Sequence, residues 1–167
     1  VNPEVAHEHM SGLNFYHGLG QALDAGKLFH VDLNDQDFGR FDQDCRFASA
    51  NPKKMFFVVK LLEEAKYPGP KHFDSHPYRT EDEEGVWDFA AGNIRTYKLL
   101  AQKVKLFARD KEIQKLVRHD LKVPSLKYSK ATHAKLLAER FDIEAIGQKG
   151  YQYEKLDQML IDLLFGA

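Results

Sequence analysis

The sequence contains very little cysteine: Cys45 is the only one among 167 residues. A single thiol excludes a framework of internal disulfides and predicts a reducing, cytoplasmic environment. The sequence also lacks any apolar run near the roughly 20 residues that a membrane-spanning helix requires. Because no charged segment followed by an apolar core marks a leader, we expect neither a signal peptide nor a membrane partner.

An excess of charge of either sign is absent as well. Lysine and arginine number 24, aspartate and glutamate 25, and the formal net charge is −1. A near-neutral chain without a basic patch is not typical of a nucleic-acid-binding protein, so we expect no nucleic-acid partner. The length is sufficient for one domain with a substantial core.

Negative charge is instead concentrated in residues 28–44. The first four residues, LFHV, are apolar enough for a buried strand, and five aspartates follow: Asp32, Asp35, Asp37, Asp42 and Asp44. Carboxylates packed this densely repel one another unless a cation neutralises them, which favours a divalent-metal site at the mouth of a parallel sheet. A solvated acidic loop explains the same residues, because charge runs commonly lie on surfaces.

Helix and strand patterns alternate over the first part of the chain. Apolar spacing predicts helices over 14–25, 52–65 and 85–107, and short strands over 28–31 and 71–74. Glu4 and Asp32, each placed at a strand end, are 28 residues apart. One βα unit of a (β/α)8 barrel averages roughly 31 residues. The spacing of the strand ends therefore predicts an α/β fold of the TIM-barrel type.

The last third of the chain has a different character, with alternating charges and no strand pattern. Short helices are predicted over 112–119, 129–141 and 153–165, with breaks at Val123-Pro124 and 147–150. The last helix carries a continuous apolar stripe. We therefore divide the chain into 1–109, the barrel portion, and 110–167, a helical arm that lies across another surface such as a second subunit. A helical cap on its own barrel is the alternative.

Six side chains are candidates for metal ligation if the strand ends converge. Glu4, Asp32 and Asp74 end three segments, and His7, Asp42 and Asp44 add a second cluster. Five carboxylates and one imidazole suit two hard cations, Mg²⁺ or Mn²⁺ first and Co²⁺ as a further candidate. We expect the remaining aspartates Asp35 and Asp37 to be solvated loop charges, and Trp87 to serve in packing.

Several motifs together resemble a known family. NPEVAHEHMSGLNFYHGLGQAL, KLFHVDLN, RFDQDCRF, GPKHFD and YEKLDQMLIDLLFG are similar, in order and spacing, to the C-terminal half of bacterial D-xylose isomerases of the actinomycete-like class. The resemblance weakens between residues 111 and 139. It implies the C-terminal part of a (β/α)8 barrel followed by an extended helical arm, in a homo-oligomer, dimeric or tetrameric.

The resemblance also implies roles for the six residues. Glu4 would bridge two divalent cations, with Asp32 and Asp74 completing the sugar-binding ion and His7, Asp42 and Asp44 the catalytic ion. Asp44 and His7 would be catalytic, Asp44 holding the water that carries a proton between substrate oxygens. The implied reaction is a hydride shift that converts D-xylose to D-xylulose and D-glucose to D-fructose. His76 stands where the family commonly has lysine.

Other family residues belong to the N-terminal half and have no counterpart here. We therefore expect turnover only when an N-terminal half of the barrel, or another copy, completes the site, and we expect the isolated chain to be inactive. The alternative is a non-catalytic metal-binding and oligomerisation module of the same family. A related metal-dependent barrel, such as a sugar epimerase or an apurinic endonuclease, is a weaker interpretation.

Overall fold

The computed structural model describes residues 1–120 and 127–166. Their helices and strands are α1 Val5–Met10, α2 Phe15–Asp24, β1 Val31–Asp32, α3 Pro52–Glu64, β2 Lys71–His72, α4 Glu83–Arg109, α5 Lys111–Asp120, α6 Lys130–Ala138, α7 Ile143–Gly147 and α8 Tyr153–Phe165. The chain divides into two compact units, Val1–Leu106 and Phe107–Ala167. None of the described helices is both long and apolar enough to cross a membrane.

The first unit contains a small parallel sheet. Strand β1 pairs in parallel with β2, with Val31 opposite Lys71 and Asp32 opposite His72. On its other side, Asp32 forms a parallel bridge with Glu4. Three extended segments therefore run side by side in the same direction. Because the carboxyl ends of parallel strands share one edge, polar residues that follow these segments are brought together there.

Helices α2 and α3 of the first unit pack against each other through apolar faces. Helix α3 begins at Pro52, which suits the first helical position because proline lacks the N–H that has no partner there. Its buried face is formed by Met55, Phe56, Val58, Val59 and Leu62. Helix α2 is capped by Asn14, whose side-chain oxygen accepts the His17 backbone N–H at 3.1 Å. It packs against α3, and the rings of Tyr16 and Phe57 lie 5.4 Å apart.

The second unit is entirely helical in its described part. Helix α5 packs against α8, and Ile113, Leu116 and Leu160 are buried. Helices α6 and α7 bury no residue, and each begins at a side-chain cap, Ser129 and Asp142 respectively. Packing of α5 on α8 therefore supplies the apolar contact within this unit.

The predicted elements are confirmed in position, but several differ in length. Helices were expected at each of α2, α3, α4, α5, α6 and α8, and all six are present. The two predicted strands are shorter, since only Val31–Asp32 and Lys71–His72 are paired. Helices α1 and α7 were not predicted, because six and five residues offer too little periodicity. The predicted break at Val123-Pro124 lies outside the described residues.

Two expectations about single residues were wrong. Asp35, expected to be a solvated charge, is completely buried, and Trp87, expected to pack, is 69% exposed. Helical spacing places Trp87 on α4 but does not decide which face of α4 is covered. The described chain is mostly helical with a small parallel sheet, so the assignment to the C-terminal part of a (β/α)8 barrel stays a prediction.

Candidate metal centre

Glu4, His7 and Asp42 form a compact acidic group at the carboxyl edge of the sheet. Glu4 ends its extended segment just before α1 begins, and His7 follows one helical turn later. His7 Nδ1 lies 3.3 Å from Glu4 Oε2, and His7 Nε2 lies 3.2 Å from Asp42 Oδ1. The three side chains each offer a ligand atom, and these atoms lie within 4.8 Å of one another. The imidazole thus stands between two carboxylates.

The loop after β1 delivers Asp42 and Asp44 in an unusual backbone conformation. Both residues have positive φ, 35° and 45°, a left-handed region that aspartate tolerates better than most residues. Two glutamine side chains fix the loop. Gln36 Oε1 accepts the Gln43 backbone N–H at 3.0 Å and Gln36 Nε2 donates to Arg40 O at 2.7 Å, while Gln43 Oε1 accepts the Asp37 backbone N–H at 3.0 Å. Side-chain bonds rather than regular structure therefore hold the Asp-x-Asp segment.

Asn34, which the sequence did not predict as a site residue, links several of the predicted ligands. Its Nδ2 lies 2.8 Å from Glu4 Oε1 and 3.0 Å from Asp44 Oδ1. The same nitrogen donates to the Asp74 backbone oxygen at 2.8 Å. A signal existed in the sequence, since Asn34 lies two residues after Asp32 and side chains two apart in a strand share a face.

The carboxylate of Asp32 belongs to a second group. Asn2 Nδ2 donates to Asp32 Oδ2 at 2.9 Å, and His30 Nδ1 lies 3.4 Å from Asp32 Oδ1. Asp32, His30 and His72 each offer a ligand atom within 4.8 Å of the others. The parallel bridge between Glu4 and Asp32 makes the two groups neighbours on adjacent extended segments.

The electrostatics of the site are seen most clearly at Glu4. Burial raises the pKa of the Glu4 carboxyl above its ordinary value of 4.5. The hydrogen bond from Asn34 and the neighbouring His7 oppose this rise, whereas the charges of Asp44 and Asp74 add to it. Glu4 thus lies close enough to both aspartates to experience their charge, and a cation placed among them would relieve that repulsion.

Asp35 is a buried hydrogen-bond acceptor that stabilises the loop, contrary to the expectation of a solvated charge. Its carboxylate accepts hydrogen bonds from the backbone N–H groups of Gln36, Ala50 and Asn51, and from the Asn51 side chain. These contacts join the start of the loop to the beginning of α3, where free N–H groups favour an anion.

Burial, followed by the charges of nearby aspartates, raises the pKa of the Cys45 thiol, which therefore stays protonated at neutral pH.

The structure brings only some of the six predicted ligand residues together. Glu4, His7 and Asp42 lie in one group, Asn34 connects Asp44 and the Asp74 backbone to Glu4, and the Asp32 carboxylate faces His30 and Asn2. Carboxylate oxygens with one imidazole nitrogen are a donor set that fits Mg²⁺, Mn²⁺ or Co²⁺. The fold and site thus define a mostly helical protein with a small parallel sheet, at whose edge acidic side chains and a histidine could hold a metal ion.

Comparison with known proteins gives the family. The chain is 49% identical over 175 residues to a xylose isomerase of Thermus thermophilus. It is 47% identical over 173 residues to that of Thermus caldophilus and 45% identical over 176 residues to that of Streptomyces lividans. In each case the match covers 100% of this chain, which is thus a homologue of the xylose isomerases, as its motifs predicted.

The extent of the match differs between this chain and its relatives. The chain spans 44% to 45% of the length of these three xylose isomerases and corresponds to their C-terminal part. No protein-family model matches the chain.

Proposed function

We propose that this chain forms part of an aldose–ketose isomerase that converts D-xylose to D-xylulose and D-glucose to D-fructose. The main support for this proposal is the group formed by Glu4, His7 and Asp42, whose ligand atoms lie within 4.8 Å of one another. The group lies at the edge of the sheet where barrel enzymes have their active sites. The identity of 45% to 49% to xylose isomerases supports the substrate class.

Two divalent cations are proposed as cofactors, Mg²⁺ first, with Mn²⁺ or Co²⁺ as alternatives. Glu4 would bridge them, Asp32 and Asp74 would hold the sugar-binding ion, and His7, Asp42 and Asp44 would hold the other. When bound, the cations would hold vicinal substrate oxygens and polarise the carbonyl group. The donor set supports this assignment, because it is rich in oxygen and contains one imidazole.

The proposed reaction moves one hydrogen and one proton within the open-chain sugar. The hydrogen leaves C2 with its electron pair and bonds to C1, while the hydroxyl proton on O2 is transferred to O1, so atoms and electrons balance. Asn34 engages Oδ1 of Asp44 at 3.0 Å, so Oδ2 is the oxygen proposed to direct the proton. His7, whose ring lies between Glu4 and Asp42, would share the binding of the cations with these two carboxylates.

The wider architecture is part of the proposal. Residues 1–109 would form the C-terminal portion of a (β/α)8 barrel, and 110–167 the arm that joins subunits into a homo-oligomer. Because the chain spans about 45% of its relatives' length, the activity is proposed for an assembly in which an N-terminal half, or another copy, completes the barrel. The cytoplasmic location stays a prediction from the single cysteine.

An assay of xylulose formation tests the proposal. The chain is incubated with Mg²⁺ and xylose, alone and together with the N-terminal half of a xylose isomerase. We expect turnover only in the combined sample, and its loss when Asp44→Asn replaces the wild-type chain. Asp37→Asn, at an exposed position of the same loop, is the control and should leave turnover unchanged.

The assay also separates the alternative function. If the chain binds Mn²⁺ and self-associates but no combination yields xylulose, the chain is a non-catalytic metal-binding and oligomerisation module. Turnover by the isolated chain would show that copies of this chain are sufficient without an N-terminal half. Absence of both metal binding and turnover would contradict the isomerase proposal.

A further inference from the structure

Asn34 occupies a central position among the proposed ligands. Asn34 lies two residues after Asp32, the last residue of β1, and its side chain is completely buried. Its side chain contacts four groups on three other segments: the Glu4 carboxylate, the Asp44 carboxylate, the Asp74 backbone oxygen, and the Ala6 backbone N–H, which donates to Asn34 Oδ1 at 2.8 Å. One neutral side chain therefore joins the N-terminal segment, β1, the acidic loop and the end of β2.

The amide group is chemically suited to this position. Its two N–H groups are shared among three acceptor oxygens, two of which belong to carboxylates, and its oxygen satisfies a buried backbone donor. Aspartate in its place would lose both donors and add a further negative charge. An apolar residue would leave the Ala6 N–H without its partner, which is costly in a buried site.

These contacts reach across the two proposed cation positions. Glu4 is assigned to both cations and Asp44 to one, and the same nitrogen lies within 3.0 Å of an oxygen of each. Glu4 Oε1 is held by Asn34 whereas Glu4 Oε2 faces His7. The bond from Asn34 thus fixes the orientation in which Glu4 presents its second oxygen, and it sets the distance between Glu4 and Asp44.

We propose that Asn34 is a positioning residue that couples the two cation sites, by holding Glu4 and Asp44 on one amide. The inference rests on the proposed function, because it needs the cations to bind there. Without Asn34 the two carboxylates would move apart under their own repulsion, and binding of one ion would no longer prepare the position of the other. Loss of such outer contacts lowers metal affinity by about 10- to 100-fold.

The test is a titration of the full chain with Mn²⁺, followed by calorimetry and by electron paramagnetic resonance. Wild type is expected to bind two ions and to show the spectrum of a spin-coupled pair. Asn34→Leu, which roughly preserves side-chain volume, should bind Mn²⁺ about tenfold or more weakly and lose the coupled spectrum. Asn34→Ser keeps one donor and one acceptor, so it should fold and show a smaller loss.

Asn93 provides a matched control. It is 1% exposed, accepts the Phe47 N–H at 2.8 Å and donates to Phe89 O at 3.2 Å, but both of its partners are backbone groups. Asn93→Leu should lower the melting temperature and leave Mn²⁺ affinity and coupling unchanged. A purely structural role for Asn34 would instead give the same Mn²⁺ response in both variants.

The outcomes distinguish the inference from the function on which it rests. Wild-type affinity and coupling in both Asn34 variants would overturn the role of Asn34 and leave the metal centre intact. A wild-type chain that takes up no Mn²⁺ would overturn both. An affinity loss in Asn34→Leu equal to that in Asn93→Leu would overturn the positioning role alone.

Discussion

The imidazoles of His30 and His72 meet at hydrogen-bond distance, with His30 Nε2 2.8 Å from His72 Nδ1 and ring planes 70° apart. Only one proton fits between two such nitrogens. His30 Nδ1 lies 2.6 Å from the Asn2 side-chain oxygen, an acceptor, so His30 donates there and accepts from His72. The pair is thereby fixed in one arrangement beside the Asp32 carboxylate.

The His30–His72 pair leads to a first prediction about metal binding. His72→Phe removes the donor that orients His30, and the contact between His30 and Asp32 should loosen. We expect Mn²⁺ affinity to fall by about tenfold, measured by calorimetric titration. His17→Phe, on the exposed side of α2, should bind Mn²⁺ as wild type does. An unchanged affinity in His72→Phe would show that Asp32 needs no support from this pair.

A second prediction concerns the buried carboxylate of Asp35. Asp35→Ala leaves the backbone N–H groups of Ala50 and Asn51 without their acceptor, and each buried orphan donor costs about 1–3 kcal/mol. We expect the free energy of unfolding to fall by about 3 kcal/mol, measured by urea denaturation. Asp37→Ala, an exposed neighbour, should change it by less than about 0.5 kcal/mol. Equal effects would contradict the role assigned to Asp35.

The contrast between Asp35 and Asp37 shows what the sequence could and could not predict. Periodicity located the helices because each needs an apolar face of known spacing, and the apolar run before Asp32 located β1. Two aspartates in one loop look alike in sequence, but only Asp35 meets the first N–H groups of the segment leading into α3. That contact depends on how the chain folds back to bring residues 50 and 51 next to Asp35, and local sequence patterns do not predict this.

In the candidate site, too, the sequence predicted the positions of residues but not the orientations of their side chains. Glu4, Asp32 and Asp74 were expected near one sheet edge from their positions after strand patterns, and the parallel pairing of β1 and β2 agrees with that placement. The orientation of each carboxylate was not predictable. Asp32 turns towards Asn2 and His30, whereas Glu4 turns towards Asn34 and His7. Hydrogen-bond partners distant in sequence decide these directions, so the six-ligand assignment stays a prediction.

A third prediction concerns Tyr97, whose hydroxyl donates to Glu63 Oε1 at 2.9 Å and connects α4 to α3. Burial, reinforced by Glu63, raises the pKa of Tyr97 well above its ordinary value of 10. The folded state therefore binds this proton more tightly than the unfolded state, and stability is lost as pH rises above about 10. Tyr97→Phe should lower the free energy of unfolding by about 1 kcal/mol at neutral pH.

The alkaline range checks this interpretation. In Tyr97→Phe the fall in stability above pH 10 should be shallower than in wild type, as measured by thermal melts at increasing pH. Tyr78→Phe, at an exposed position, is the control and should follow the wild-type curve. A wild-type slope in Tyr97→Phe would mean that other groups dominate the alkaline loss.

The last prediction links Glu4, pH and metal removal. Because burial raises the pKa of Glu4 above 4.5, the metal-free folded state holds this proton more tightly than the unfolded state does. The contribution of Glu4 to stability is therefore full below 4.5 and is lost as pH rises through the raised value. Ionised Glu4 therefore destabilises the metal-free folded chain at neutral pH, and a bound cation should reverse this effect.

Thermal melts with chelator and with Mn²⁺ test this link. In chelator at neutral pH, Glu4→Gln should melt at a higher temperature than wild type, since it removes the buried charge. With Mn²⁺ the order should invert, because only wild type gains stability from ligand binding. Asp24→Asn, at an exposed position of α2, should follow wild type in both solutions. A chelator that leaves the wild-type melting temperature unchanged would argue against a cation at Glu4, because crowded carboxylates gain most from neutralisation at this position.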